Sequence, residues 1–484
     1  MGILLVLDKP EDWPLNVEGV EVVPARKYLT DTAYSERKPH KVFNLCKSYR
    51  YQSIGYYVSL LASARGHKPL PDISTIQDLK LHELVRVAGE ELDEVIQEGL
   101  KEISGGEFTL SIYFGKNVEA RFNRLALAIF NRYPAPFLRA SFEKKDGEWR
   151  LEGLRTIPSS EIPSDHFLDV LTFATQYFNR PHRRPKQAEA RYDMAILRSE
   201  DDPTPPSNEK AIKKFVKAGE AMGFDVEIIG KDDYGRLGEF DALFIRDTTN
   251  VLSHTFRFAR RADAEGLVVI DDPESIVRCS NKVYLAELLQ RHRVATPPTL
   301  IVHKDNAASV PQILGLPLVL KQPDSSFSLG VIKAKTREEY EREIDRLLKI
   351  SDLVVAQAYM PTDFDWRVGV LDGEPYYVCK YFMVKGHWQI YDNTKQGDDK
   401  LGEFETWPVD ACPPEVLKAA RRVADLIGDG LYGVDIKEVG GKAYVIEIND
   451  NPNIDAGVED KILGDEIYAK LMRVMLGRLE GRGR

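Results

Sequence analysis

At 484 residues the chain exceeds the roughly 250–300 at which a single hydrophobic core stops growing, so two or more domains are expected. A hydrophobic fraction of 43% with 29% charged residues excludes disorder as a global description. The formal net charge of −10 argues against broad nucleic-acid binding, which needs basic surface, but allows an anionic small molecule in a lysine-lined pocket.

The opening MGILLVLDKPEDW contains a buried-strand run, ILLVLD (3–8), and acids follow at once. It lacks the basic region and longer apolar stretch of a signal peptide. No apolar run approaches the ~18–20 residues of a membrane span. Four cysteines, Cys46, Cys279, Cys379 and Cys412, stand far apart with no CxxC pair, so reduced thiols are expected in place of a disulfide framework. The expectation is a soluble cytoplasmic protein.

Residues 41–67 change character, with Tyr57, Leu60, Leu61 and Ala64 at helical intervals and Gly66 placed as a C-terminal cap. Lys47, Arg50, Tyr51, Tyr56 and Tyr57 cluster here. They suit either an anion site or an amphipathic helix with tyrosines on its core face, and the second is the expectation. A further helix is expected over about 75–99, a strand at EFTLSIYFG (107–115), and a hairpin around Asp146-Gly147. With a helix near 165–178, residues 1–180 read as one mixed α/β domain. The basic, proline-bearing stretch 181–191 reads as a solvated linker.

From 192 the pattern becomes strand–helix–strand, the helix 208–223 starting at Ser207 or Asn208 and stopping at Gly223. Such alternation implies a parallel βαβ layer over 192–275. Residues 276–478 are expected to form a further domain.

Within that last domain the candidate chemistry is concentrated. Lys282 lies in the first turn of a helix (281–294), and Lys321 ends the otherwise apolar strand LPLVLK. An ammonium so placed suits phosphate oxygens. The loop that follows carries Ser325, Ser326, Ser328 and Gly330, which offer hydroxyl and backbone N–H donors. A strand ends in Gln357, Ala358, Tyr359 and Met360. A hairpin around Asp372-Gly373 carries Arg367, a candidate to stabilise charge on a transferring phosphoryl group, on its first strand and Lys380, a further catalytic candidate, on its second. A terminal hairpin around Gly440-Gly441 carries Asp435 on one strand and Glu447 and Asn449 on the other. Glu447 and Asn449 share a face because side chains alternate along a strand. A three-residue loop at 440–442 would set Asp435 opposite Glu447, giving three oxygen ligands suited to Mg²⁺. GDGLYG (428–433) matches GxGxxG but precedes a strand, so the dinucleotide reading fails, and no GxxxxGK[ST] phosphate loop occurs.

The ordered elements CSNKVYLAELLQRHRVATPPT, LPLVLKQPDSSFSLGV, VVAQAYMPTDFDWRVGVLDGEPYYV and YGVDIKEVGGKAYVIEINDNPNI resemble the ATP-grasp superfamily, RimK-type glutamate ligases above all. The stretch FNLCKSYRYQSIGYYVSLLASARGHKPLP resembles an N-terminal domain fused to some of them. The resemblance implies an α/β fold (α+β in parts): a mixed N-terminal domain, a βαβ pre-ATP-grasp subdomain, a lid at about 297–356, and a C-terminal antiparallel sheet. It implies that Lys282 and Lys321 contact ATP phosphates and that Gln357 to Met360 line the adenine pocket. Arg367 then faces the γ-phosphate, Lys380 stands where an Arg is common, and Asp435, Glu447 and Asn449 hold Mg²⁺, with Mn²⁺ as a substitute; Asn451 is a further candidate. At 393–398 Asn393 and Gly397 match the acceptor motif, whereas the usual His and Arg are absent. The implied activity joins a carboxylate, such as glutamate, to an amine of a peptide, protein or small molecule through an acyl phosphate, in a homo-oligomer. A small-molecule kinase and a nucleotide-binding regulatory module are the alternatives.

Overall fold

The computed structural model describes residues 2–482 apart from 14–16, 18, 36, 38–39, 82–84, 86–88, 91, 179–189, 325–329, 385–387 and 391–401. Contacts divide the chain into two compact units, Met1–Asp193 with Asp232–Asp241, and Met194–Lys231 with Ala242–Arg484.

In the first unit β1 (Gly2–Leu7), β2 (Val20–Pro24), β3 (His40–Asn44) and β4 (Lys68–Leu70) form a sheet ordered β2-β1-β3-β4, with parallel pairings throughout. Alternate residues of β1 feed two cores. Ile3, Leu5 and Leu7 join Phe43, Phe114 and Tyr177, whereas Leu4 and Val6 pack with Tyr28, Val58 and Ala62. An apolar run of this kind is what a strand buried on both faces requires. A second sheet, β5 (Glu107–Tyr113), β6 (Phe137–Lys145) and β7 (Glu148–Thr156), is antiparallel. Its β6–β7 turn is Asp146-Gly147, at φ 55° and 89°, as the mirror-image two-residue turn demands. The segment Asp232–Asp241 belongs here: the Glu239 carboxylate accepts from Lys41 Nζ and from the Tyr177 hydroxyl, both at 2.8 Å.

Two expectations need correction in this unit. Residues 75–99 are not one helix: Ile73–Asp78 ends in a turn where the Leu81 N–H bonds the Asp78 carbonyl, and Asp93–Leu100 is a separate helix. The helix α1 (Ile54–Ala64) buries Gly55, Val58, Ser59 and Ala62, not its tyrosines. Tyr57 is 39% exposed and Tyr51 61%. The small residues win the core face because α1 packs close to the chain at 46–48, where a Cβ on Gly55 would lie 2.4 Å from the Ser48 carbonyl oxygen.

The second unit opens with β8 (Tyr192–Leu197), α2 (Glu209–Ala221), β9 (Phe224–Ile229), β10 (Ala242–Ile245), α3 (His254–Ala264) and β11 (Val268–Ile270). The sheet is ordered β11-β10-β8-β9, with β10 parallel to both β8 and β11. Asn208 caps α2, its side chain accepting from the Ala211 N–H at 2.9 Å. After α4 (Lys282–Arg291) come β12 (Thr299–Val302), β13 (Leu318–Lys321), β14 (Val331–Ala334), α5 (Arg337–Leu347) and β15 (Val354–Ala358), an antiparallel sheet ordered β12-β15-β13-β14.

The last layer is β16 (Phe364–Leu371), β17 (Glu374–Phe382), β18 (Phe404–Trp407), α6 (Pro414–Ile427), β19 (Leu431–Val439) and β20 (Lys442–Asp450). Its sheet is ordered β18-β17-β16-β19-β20. One face buries Trp366, Val368, Val370, Val434, Ile436 and Ile448 with Val416, Ala420 and Val423 of α6. The polar residues between them therefore stand on the opposite face.

Candidate nucleotide and metal site

That opposite face carries the site, and strand register assembles it. Arg367 pairs with Asp435, Asp435 with Glu447, and Gly433 with Asn449, so all four side-chain-bearing residues share one face. The expected opposition of Asp435 and Glu447 is present, but through a different device. The turn is the two-residue Gly440-Gly441, at φ 59° and 73°, closed by Val439 and Lys442. A bulge between Asp435 and Ile436 then shifts the register by one residue. An extra residue in one strand realigns side chains that a regular hairpin would offset.

A cavity of about 530 Å³ lies over this face, lined among others by Lys282, Lys321, Gln357, Ala358, Tyr359, Met360, Arg367, Asp435, Glu447 and Asn449, with Gly330 and Val331 at the start of β14. Asn281 places Lys282 by accepting from the Val283 and Tyr284 N–H groups at 3.0 Å, which fixes the first turn of α4. Lys282, 6% exposed, sets its Nζ 2.8 Å from Glu447 Oε1. Arg367 grips Asp435 in a two-point pair, one contact being Nη2 to Oδ2 at 2.9 Å. Asn449 donates to the same oxygen at 3.4 Å. Burial tends to raise the Glu447 carboxyl, but Lys282 and Lys321 outweigh it and hold it below its ordinary range. Burial pushes Asp435 upward, opposed by Arg367. Lys321, 7% exposed, is pushed down to about 8 by burial, an effect Glu447 opposes and Lys282 reinforces.

Gln357 is held by its amide, which donates to Thr299 Oγ1 at 2.9 Å. Asn451 is engaged by Arg246 Nη1 at 2.6 Å and by the Asp247 carbonyl, so it anchors the strip after β20. Ser325, Ser326, Ser328, Asn393 and Gly397, with the 181–189 part of the expected linker, lie outside the described residues. Lys380 is not brought to the cavity. It pairs with Trp366 across β16–β17, one residue out of phase with Arg367, and so takes the α6 face. There its Nζ sits 3.7 Å from the Trp407 ring centroid and 4.4 and 4.8 Å from those of Phe364 and Trp366. Strand alternation decides the matter, since Arg367 and Lys380 cannot share a face in this register.

Two residues of the site, and one that anchors it, carry no signal read in the sequence. Asp365 and Lys437 line the cavity and pair at 2.5 Å. They stand two positions from Arg367 and Asp435, so period-two spacing could have found them. Arg246, fully buried, donates to Ser207 Oγ at 2.9 Å and the Pro452 carbonyl at 2.9 Å as well as to Asn451. A basic residue ending the apolar strand ALFI was the available signal.

The donor set fits a hard divalent cation. Asp435, Glu447 and Asn449 offer three oxygens on one face, leaving positions for water and phosphate as Mg²⁺ requires. Among the described residues no group of three or more His, Cys, Asp or Glu is placed to hold a metal, so the set depends on the Asn449 amide oxygen.

Residues 279–475 match the RimK-like ATP-grasp domain, and residues 25–171 the RimK-like ATP-grasp N-terminal domain. The chain is 26% identical over 255 residues to the alpha-aminoadipate–LysW ligase LysX of Saccharolobus solfataricus, covering 50% of this chain and 88% of that protein. It is 26% identical over 244 residues to a ribosomal protein bS6–L-glutamate ligase of Escherichia coli O139:H28, covering 49% and 77%. Among solved structures, a D-alanine–D-alanine ligase from Bacillus anthracis aligns with 60% of this chain and 97% of its own, at 15% identity and a TM-score of 0.46. With a RimK-like ATP-grasp domain carrying the cavity and the associated N-terminal domain preceding it, the chain belongs to the RimK-like ATP-grasp family.

Proposed function

We propose that the protein is an ATP-dependent ligase that joins a carboxylate to an amine. The observation that carries this reading is the convergence of Lys282, Lys321 and Arg367 with Asp435, Glu447 and Asn449 on a single cavity. Three cations can take up the charge of a triphosphate, while the oxygen donors hold the metal. Asp435, Glu447 and Asn449 would hold Mg²⁺, which would supply positive charge to offset the negative charge developing on the phosphates. Lys282 and Lys321 bind the phosphates. Arg367 stabilises the γ-phosphoryl group as a substrate carboxylate attacks it, releasing ADP and leaving an acyl phosphate. An amine then displaces phosphate to form the amide. Gln357 to Met360 border the adenine.

The acid would be an amino acid such as glutamate, and the amine that of a peptide, protein or small molecule, as in the ligases named above. We further propose that residues 1–180 are a separate domain from the catalytic region 276–478, and that the protein works in the cytoplasm as a homo-oligomer. Four buried free cysteines support that compartment.

The test is mass spectrometry of amino-acid and amine pools incubated with MgATP. A product lighter by one water than its two precursors together, formed with ADP and phosphate, supports ligation. A phosphorylated product without amide formation would favour a kinase instead.

A further inference from the structure

Beyond the residues already assigned, three side chains from three separate segments meet at the Tyr359 end of the cavity. Lys333 lies on β14, just past the lid loop, with its ammonium 4.2 Å from the centroid of the Tyr359 ring. The same ammonium is 5.1 Å from the centroid of the Trp388 ring. The two rings stand 6.0 Å apart at an interplanar angle of 78°. Tyr359 and Trp388 both line the cavity, beside Val319, Val331 and Met360. A cation shared between two π faces holds both rings in orientation. An aromatic wall so fixed presents a flat apolar surface, which suits another ring more than a phosphate or a carboxylate.

Resting on the nucleotide reading above, we propose that Trp388 is the stacking wall for the nucleotide base, with Lys333 as the positioning residue that holds Trp388 against Tyr359. The arrangement ties the lid strand β14 to the base itself, since Lys333 belongs to the lid and the rings do not.

Of the five tryptophans, Trp388 lines the cavity; Trp13, Trp149 and Trp366 are buried in cores and Trp407 packs on Trp366 at 5.6 Å. Intrinsic fluorescence therefore reports on it. Titrating the full chain with MgADP, alongside calorimetry, should give a fluorescence change that Trp388→Phe removes. Trp388→Ala should weaken MgADP binding by about tenfold to a hundredfold, the loss expected for one base stack. Lys333→Met should weaken it less, with Lys333→Arg restoring it. Binding seen by calorimetry with an identical fluorescence change in wild type and Trp388→Phe overturns this inference alone. Absence of any MgADP binding overturns the nucleotide reading and this inference with it.

Discussion

Lys282 and Glu447 meet at 2.8 Å in the floor of the cavity, a cation proposed for phosphate paired with a carboxylate proposed for metal. Arg367 and Asp435 repeat the relationship one strand away. Each candidate carboxylate ligand is thus paired, before anything binds, with a cation that a phosphate would draw off. Removing one member of such a pair leaves the other desolvated and alone.

That balance can be measured. Lys282→Met should lower unfolding stability by about 1–3 kcal/mol, and the double variant Lys282→Met with Glu447→Gln should recover much of the loss. Urea denaturation of the four proteins supplies the cycle. Strictly additive effects would mean the pair contributes nothing.

Glu447→Ala and Asp435→Ala should each abolish MgATP turnover while circular dichroism stays native. The carboxylates hold the metal in this reading, so ADP release is the assay. Wild-type rates in both variants would remove the metal assignment.

Lys380→Ala should leave turnover near that of wild type, because its ammonium lies among Phe364, Trp366 and Trp407 on the far face of the sheet. Its cost should fall on stability, about 1–2 kcal/mol for a partly desolvated cation–π contact. A collapse of kcat with unchanged stability would return Lys380 to the catalytic set.

A pH effect is expected from Glu459. Burial raises its carboxyl from 4.5 to about 7, outweighing the Tyr381 hydroxyl and the Asp455 N–H, whose bonds to its two oxygens favour the charged form. The folded state therefore favours the protonated form. Stability from this group is complete below pH 4.5 and is lost as the pH rises through 7. At about 1.4 kcal/mol per pH unit from 4.5 to about 7, the loss is about 3.5 kcal/mol. Glu459→Gln should remove that dependence, so its stability relative to wild type should improve between pH 5 and pH 8. A difference that does not change with pH, measured by urea midpoints, contradicts the assignment.

Arg246→Ala should destabilise by more than 3 kcal/mol, since it empties a buried cation site that ties Ser207, Asn451 and Pro452 together. Thermal denaturation reports the loss directly. A shift of under 1 kcal/mol would show that the strip after β20 is held without it.

The amino-acid sequence by itself determined which chemistry is present and in what order. Local signals sufficed: Asp146-Gly147 and Asp372-Gly373 form the two-residue turns their residues predict, Asn208 caps its helix, and Lys321 ends an apolar strand. Such features depend on neighbours in the chain, and so they are legible there. Which face each side chain takes was decided only by tertiary structure. The bulge at Asp435, not the length of the turn, sets Asp435 opposite Glu447. The register of β16 on β17 sends Arg367 to the cavity and Lys380 to the aromatic face. Close packing of α1 at Gly55 turns Tyr57 outward although its spacing matched a core stripe. In the strands a one-residue offset reverses the outcome because side chains alternate, and a helix offers its core face to whichever residues are small enough to fit.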